Sequence, residues 1–418
     1  MKHCLSTGIF LFALLFISPT QSSAKTIRIR SNSSINKINE IISRARDGDK
    51  IKFPKNKTFL VDKQIIFDGK NDISVNFNGC CFALVDNAKL TTRTLNGYYV
   101  DRTILQITNC KNIKVFNVFV DGNREHNSRD RIIGLSIGGV TGSFEKVVAR
   151  NCNFHHIVFY NNIDVSLFDI EFENIGQATG KSDVFTHEAY KNVHTVWRNV
   201  RSSRPYNGEE NLAQIFYFGG GFNEVYGLYS TNCNCGIDQR SGKLIAKDIE
   251  MHDCAGFRVI SYESQVAGEE PDVYIENMRL FDVYFSDNRN SYVYITSCAR
   301  CTLKDIAIYP KQSETVPLTN IRIRKFFDKL DVQNVIIENF KVHYTSDGVP
   351  IYGILLEGVN DNVSLTNVDI KCIDAAIRSR GECKEAKLNL HGFNADGHKV
   401  FVSEEKSSSL QKRIKVTR

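Results

Sequence analysis

The hydrophobic pattern of this chain repeats one short phrase, in which two alternating apolar residues precede an Asp, Asn or Gly and two more follow it. The stretch Ile163–Phe172 shows the phrase most clearly, with Asp169 at its centre. Copies recur at intervals of 16 to 38 residues, which is typical of a solenoid. The twelve copies are centred on Gly79, Asn117, Asn151, Asp169, Asn199, Asn232, Asp248, Asn277, Asp305, Asn339, Asn367 and Gly392.

Each copy predicts two short strands joined by a sharp bend. Alternating apolar residues make a strand with one buried face, and Asn, Asp or Gly tolerates the left-handed backbone that a bend requires. The positions four before and one after the bend are apolar in nearly every copy, although only 42% of the chain is hydrophobic. One rung has no core of its own, so neighbouring rungs must bury each other's apolar faces. The pattern therefore predicts an all-β fold, a parallel β-helix of about twelve rungs.

The N-terminus predicts a removable export signal followed by a capping helix. A basic start, a short apolar run from Gly8 to Ile17 and small residues before Ala24 form a secretory signal, with cleavage expected after Ala24. Ser34 is a candidate N-cap, and apolar residues from Ile35 to Ala45 follow at helical spacing. The expected organisation is a signal peptide over 1–24, a β-helix domain over 25–402 and a polar basic tail over 403–418. We therefore expect a secreted or periplasmic protein.

Charge and cysteine content narrow the expected partners. The net charge of +6 and the pI near 8.6 suit an acidic polymer but are too weak to indicate nucleic acid. No second apolar run is long enough to suggest a membrane span. Cys298 and Cys301 have the spacing of metal ligands, but no second such pair accompanies them, so core packing or a disulfide is favoured over zinc. We expect no cofactor and no metal, and the oligomeric state stays open.

The segment after the predicted helix resembles known proteins. The stretch Gly48–Pro54, GDKIKFP, which leads to Asn78 and Gly79, is similar to the opening of pectate-lyase-like and polygalacturonase-like β-helices. This resemblance implies a right-handed, single-stranded parallel β-helix. The aspartate pair and the Gly-His-Gly of polygalacturonases are absent here. Arg322 to Lys325 is only loosely similar to their Arg-x-Lys motif.

One predicted strand face carries arginine and tyrosine. If Ile237, Val259, Val293, Ile321 and Ile377 point inward, the alternate residues line an outward trough. Guanidinium groups bind carboxylates or sulfates, and tyrosine rings stack on sugars, so the trough suits an acidic polysaccharide. The alternative is that these arginines only pair with neighbouring carboxylates. The expected substrate-binding residues are Arg240, Tyr217, Tyr292, Tyr294, Arg322 and Arg324, with Arg378 and Arg380 on the same face.

Two reaction types fit an acidic polysaccharide. Elimination needs a cation at the substrate carboxylate, a base and an acid, for which Arg258, Tyr262, Arg240 and the possible base His187 are candidates. Hydrolysis needs two carboxyl groups, and the candidates are Asp238 paired with Glu263 or Glu188.

The leading hypothesis is an exported enzyme that cleaves an acidic, uronic-acid-containing polysaccharide by β-elimination. One alternative is a non-catalytic β-helix that binds an exopolysaccharide during export or attachment, and another is a glycoside hydrolase with a carboxylate pair.

Overall fold

The predicted parallel β-helix is the fold of this chain. The computed structural model describes residues 24–90, 93–95, 98–100, 102–127, 131–175, 182–186, 192–204, 213–234, 236–260, 271–284, 291–296, 298–311, 316–325, 332–344, 349–358, 362–380, 387–392, 394–395, 399–403 and 415–417. Within them, 28 strands join one continuous parallel sheet that coils as a right-handed β-helix, and two more strands form a separate antiparallel pair.

A single described helix lies before the first rungs. Helix α1 (Ile35–Arg44) has Ser34 as its N-cap, and the Ser34 hydroxyl accepts a hydrogen bond from the Lys37 N–H at 3.3 Å. Ile38 and Ile42 of α1 are buried in the common core, which confirms the predicted amphipathic helix. The strands of the N-terminal part are β1 (Thr26–Arg28), β2 (Lys50–Lys52), β3 (Thr58–Val61), β4 (Ile65–Asp68), β5 (Ser74–Leu84), β6 (Arg93–Leu95), β7 (Tyr98–Val100), β8 (Thr103–Thr108) and β9 (Ile113–Asp121).

The middle and C-terminal rungs alternate between strands that carry the bend and shorter strands of the predicted trough. The trough strands pair in order as β12, β14, β16, β18, β20, β22, β24 and β26. The strands are β10 (Ile133–Arg150), β11 (His155–Glu173), β12 (Ser182–Thr186), β13 (Val193–Ser203), β14 (Gln214–Phe218), β15 (Phe222–Cys233), β16 (Ile237–Gln239), β17 (Lys243–Cys254), β18 (Phe257–Ile260), β19 (Asp272–Val283), β20 (Ser291–Thr296), β21 (Arg300–Pro310), β22 (Thr319–Arg324), β23 (Asn334–Val342), β24 (Tyr352–Glu357), β25 (Asn362–Ile370), β26 (Ala375–Arg380), β27 (Lys387–His391), β28 (Asn394–Ala395), β29 (Lys399–Ser403) and β30 (Lys415–Thr417).

The bends use left-handed residues, as predicted. All twelve predicted bend residues have φ between +51° and +75°, a conformation that Asn, Asp and Gly adopt at low cost. Side chains of the bend column hydrogen-bond from rung to rung. The Nδ2 of Asn199 donates to Asp169 Oδ1 at 2.6 Å, and the Nδ2 of Asn277 donates to Asp248 Oδ1 at 2.6 Å.

Two predicted copies were assigned to the wrong register. In β10 the bend column passes through Lys146, since Val147 lies opposite Ile170. In β15 the column passes through Gly227, since Leu228 lies opposite Val200. The predicted residues Asn151 and Asn232 lie five positions later, at a second left-handed position of the same rungs. Alternation continues through both bends, so the apolar pattern alone fits either register.

The core fills the solenoid along its length. Phe53, Phe77 and Phe82 pack within 6 Å of each other near the N-terminus, and Trp197 packs edge-on against Phe159 and Phe216 further along. Buried cysteines belong to this core; they include Cys80, Cys233, Cys254, Cys298 and Cys301.

The region 403–418, expected to be a polar tail, contributes strand β30. Its residue Val416 lies opposite Leu390 of β27, so Lys415–Thr417 continues the ladder. In the described part of the chain, no helix is long and apolar enough to span a membrane.

Candidate functional site: an arginine and tyrosine column

The predicted trough residues form one column across successive rungs. The inward positions Ile237, Val259, Val293, Ile321 and Ile377 are fully or almost fully buried, as expected. The residues between them stack in register on the opposite face of the same strands. We call this the trough column, and it runs Tyr217, Asp238, Arg258, Tyr294, Arg322, Leu355 and Arg378.

A buried ionic cluster occupies the first part of the trough column. The Asp238 Oδ2 lies 2.8 Å from an Arg240 guanidinium nitrogen and 3.5 Å from Arg258 Nε. Asp238 has no exposed surface and Arg258 only 4%. The Asp238 carboxylate therefore sits between two cations, where charge pairing offsets its loss of solvation. An open trough was expected here, and that expectation is wrong for the rungs of Asp238, Arg258 and Tyr294, whose side chains are all buried.

Flat side chains stack beside this cluster. The His155 ring lies 4.8 Å from Phe185, Phe185 lies 4.9 Å from Tyr217, and the Arg240 guanidinium lies 4.8 Å from the Tyr217 ring. Burial lowers the pKa of His155 to about 3, so this imidazole is neutral near pH 7. The stack thus presents one guanidinium at its end, held by an aromatic face.

A more exposed group of arginines lies two to four rungs further along. Arg322 and Arg324 of β22 and Arg378 and Arg380 of β26 flank Glu357 of β24, and we call these five residues the arginine patch. The Glu357 Oε2 is 2.6 Å from Arg322 Nε and 3.9 Å from Arg324 Nε.

Other contacts hold the patch in place and leave it partly open. The Arg322 guanidinium lies 5.4 Å from the Tyr294 ring, and Arg378 hydrogen-bonds to the Tyr352 hydroxyl. The side chains of Arg322, Arg324 and Arg378 are 14%, 39% and 19% exposed, so a ligand can reach them.

Tyr292 does not belong to the trough, which corrects the prediction. It lies in the hydrophobic core, where burial raises its pKa above the ordinary value. Its column faces inward: a Cβ at Gly236, in the same column, would lie 2.1 Å from the buried Met251 Sδ. Simple alternation places Tyr292 opposite to the inward residue Val293. The start of the strand does not alternate in this way, so the prediction assigned Tyr292 to the wrong face.

The predicted site is only partly covered by the structure. Tyr217, Asp238, Arg240 and Arg258 are brought together, and Tyr294, Arg322 and Arg324 follow on the same face. The candidate base His187, the candidates Tyr262 and Glu263, and the alternative carboxylate Glu188 lie outside the described residues.

Glu357 was missed by the sequence reasoning, although the same alternation rule would have found it. Leu355 lies opposite Arg322 and Glu357 lies opposite Arg324, which puts both residues of β24 on the outward face.

A cleft lined by residues of the N-terminal rungs lies outside the trough column. It has a volume of about 710 Å³ and is lined by Leu60, Asp86, Asp121, Glu125 and other residues. The Asp121 carboxylate there is held by Arg150 Nε at 2.8 Å and by Asn151 Nδ2 at 3.0 Å. Three carboxylates against one arginine, Arg124, line this cleft, so the arginine face suits an acidic ligand better.

No protein-family model matches the chain, and no curated protein matches it. Similar solved structures include the catalytic domain of a GH87 α-1,3-glucanase in complex with tetrasaccharides (TM-score 0.52, 11% identity, 94% of this chain and 68% of that one). Another is the pre-mature gene product 12 of bacteriophage phi29 (TM-score 0.50, 14% identity), where 91% of this chain spans 56% of that chain.

A less similar solved structure is the endo-xylogalacturonan hydrolase from Aspergillus tubingensis (TM-score 0.43, 9% identity, 90% of this chain and 99% of that one). At these identities the likeness is one of fold, the parallel β-helix that the N-terminal motif indicated.

Proposed function

We propose that this protein is exported, binds an acidic polysaccharide along the trough column and cleaves it by β-elimination. The observation that carries the proposal is the register of the column, which places Arg258, Arg322 and Arg378 on one face of the rod. Planar guanidinium groups bind carboxylates through two parallel hydrogen bonds. A row of them along a rigid scaffold matches a polymer with repeated carboxylates.

The binding step rests on the arginine patch. Its four guanidinium groups lie near two described carboxylates, Glu357 and Asp374, the latter 3.9 Å from Arg378. The side chains of Arg322, Arg324 and Arg378 are partly exposed, and guanidinium groups bind carboxylates with matched planar geometry. An anionic sugar chain would therefore be attracted to this part of the trough.

The chemical step rests on the cluster around Asp238. In an elimination, a cation neutralises the uronate carboxylate, a base removes the proton on C5, and an acid protonates the leaving oxygen on C4. Arg240, whose side chain is 13% exposed, would supply the cation, and Asp238 together with the buried Arg258 would position it through their ion pairs. The candidate bases remain His187 and Tyr262.

The same cluster argues against hydrolysis through Asp238. A carboxyl group that acts as a general acid must be protonated before the reaction. Asp238 has no exposed surface and its Oδ2 lies between two guanidinium groups, so its carboxyl group cannot reach a glycosidic oxygen. A hydrolase would need its carboxylate pair elsewhere, so elimination is the better supported chemistry.

A second candidate function is binding without cleavage. The observation that favours it is the complete burial of Asp238, because a buried ion pair of this kind is also a common structural feature. In that case the trough would guide or anchor an exopolysaccharide, and the arginine patch would be its main contact.

Incubation of the mature protein with a panel of acidic polysaccharides tests these functions together. Ultraviolet absorbance reports the C4–C5 double bond of an elimination product, and a reducing-end assay reports every cleavage. We expect both signals to rise for one polymer, and both to fall at least about 100-fold in Arg258→Ala.

The matched control is Arg198→Ala, because Arg198 stacks on Tyr226 in the bend-carrying strands, away from the trough. Reducing ends without absorbance would indicate a hydrolase. Retardation in an affinity gel with neither signal would indicate the binding function. Absence of cleavage and of retardation for every polymer would refute the proposal.

A further inference from the structure

We infer that the polymer carries its acidic group on every second sugar, with an uncharged sugar between. This inference rests on the proposed function and names the substrate class of the same trough. It comes from the spacing of the cations in the trough column and from the position of one carboxylate between them.

The arginines of the column occupy alternate rungs. Of its partly exposed arginines, Arg322 lies on β22 and Arg378 on β26, with Leu355 on the rung between, whereas Arg258, two rungs before Arg322, is buried. Neighbouring rungs are about 4.8 Å apart, so successive arginines are separated by about 10 Å. A sugar unit in an extended chain advances by a length close to one rung. Successive arginines would therefore meet every second sugar.

The adjacent column has the same alternation and adds a repulsive element. Arg324, Glu357 and Arg380 lie opposite one another on three successive rungs. The intermediate rung thus carries a negative charge on this column, and Leu355 beside it is completely buried. A sugar carboxylate placed at this rung would face Glu357, and like charges in contact disfavour binding.

The position of Glu357 discriminates between two kinds of acidic polymer. A polymer with a carboxylate on every sugar would have to place one of them beside Glu357 whenever its neighbours reach the two arginine pairs. A polymer with alternating acidic and uncharged sugars avoids that contact and keeps both arginine contacts. Specificity then arises from rejection of one ligand as well as attraction of the other.

The test compares binding of two kinds of polymer at equal chain length and ionic strength. Hyaluronan and unsulfated chondroitin carry a carboxylate on every second sugar, and polygalacturonate carries one on every sugar. We expect wild-type protein to bind at least one of the alternating polymers at least about fivefold more tightly than polygalacturonate. Affinity electrophoresis over a range of polymer concentrations measures the dissociation constants.

The variant Glu357→Gln keeps the side-chain shape and removes the charge. We expect it to bind polygalacturonate at least about threefold more tightly than wild type does, and to prefer the alternating polymers over polygalacturonate by a smaller factor. The matched control is Glu338→Gln, because Glu338 lies opposite Lys304 on the bend-carrying strands and outside the trough. Circular dichroism confirms folding of both variants, and the wild-type preference is an independent measurement if Glu357→Gln does not fold.

Each outcome decides the inference. Equal or tighter binding of polygalacturonate by the wild-type protein overturns the alternating pattern while the proposed function stands. An unchanged preference in a folded Glu357→Gln overturns the role of Glu357 and with it the inference. Binding of other acidic polysaccharides but neither alternating polymer also overturns the inference alone. Failure to bind any acidic polysaccharide overturns the proposed function and the inference together.

Discussion

Removal of the Asp183 charge should destabilise the fold more than loss of any exposed ion pair. The Asp183 carboxylate accepts hydrogen bonds from His156 Nδ1 at 2.9 Å, Ser202 Oγ at 2.6 Å and Arg204 Nη2 at 2.8 Å. The side chains of His156, Asp183 and Arg204 are at most 1% exposed. His156 also stacks on the core residue Phe172 at 5.5 Å, so the group lies within the solenoid.

The magnitude follows from the charge left behind. In Asp183→Asn the Arg204 guanidinium stays buried without a counter-charge in this group. Breaking a buried pair by removal of one partner costs about 3–5 kcal/mol. For a slope near 3 kcal/mol/M, the urea midpoint should fall by about 1 M or more. The single tryptophan of the chain, Trp197, packs near Phe172, so its fluorescence reports the unfolding of this region.

The pH dependence of the effect has a definite sign. Burial alone would raise the pKa of Asp183, but Arg204, His156 and Ser202 together lower it below the ordinary value. Its contribution to stability is therefore complete above the unfolded pKa of about 3.9 and is lost as the pH falls through the lower folded pKa. The difference between wild type and Asp183→Asn should shrink below about pH 4.

Two comparisons make the prediction refutable. Asp164→Asn is the matched control, because Asp164 also pairs with a histidine, His194, at 3.0 Å but is 70% exposed, and we expect no measurable change. Asp183→Asn combined with Arg204→Met removes both buried charges and should recover part of the loss. An Asp183→Asn midpoint equal to that of Asp164→Asn would refute the reasoning, as would a double variant no more stable than Asp183→Asn.

Three further predictions concern single positions. Gly227 occupies the bend column at φ +78°, with room for a Cβ. The unfolding free energy of Gly227→Asn should therefore stay within about 1 kcal/mol of wild type, whereas Gly227→Val should lose more stability in thermal unfolding. Equal losses in the two variants would contradict this. Trp197→Ala should lower the free energy of unfolding by about 3–5 kcal/mol, because Trp197 is fully buried. Unfolding followed by circular dichroism measures this loss, and a value below about 1 kcal/mol would contradict the prediction. Hydrogen bonds from Lys247 and Lys304 lower the pKa of Glu276 to about 2. Carboxylate NMR should show that this pKa rises in 1 M salt, because salt screens the lysine charges. A salt-independent pKa would contradict the role of the two lysines.

The fold was predictable because its signals are local and repeated. A bend every rung, an apolar face on each side of it and the Ser34 cap of α1 can each be recognised within a few residues. The register of two rungs was not predictable, because the rungs of β10 and β15 each have two left-handed positions five residues apart, Lys146 and Asn151 in one and Gly227 and Asn232 in the other. Lys146 at φ +57° also carries a bend on a residue type that the search pattern excluded.

The site was predictable as a face but not as a set of contacts. Alternation along each trough strand put Arg258, Tyr294 and Arg322 in one column, as their register has them, but did not predict that Arg258 and Tyr294 are buried. Alternation failed for Tyr292, because Tyr292 and its neighbour Val293 both lie in the core. The pairing of Asp183 with His156 and Arg204 depends on strands far apart in sequence, and no local pattern carries that information.

The two halves of the trough suggest how binding and chemistry would divide. The cluster at Asp238 is buried and tightly paired, which suits a group that must hold two guanidinium groups in a fixed geometry. The arginine patch is partly exposed and lies two to four rungs away from Arg258, or roughly 10–20 Å, which suits contact with sugars remote from the broken bond. If the protein is an enzyme, loss of Arg324 should raise KM with little change in kcat, while loss of Arg258 should lower kcat. If it only binds, both losses would weaken affinity alone, so the kinetic comparison separates the two functions.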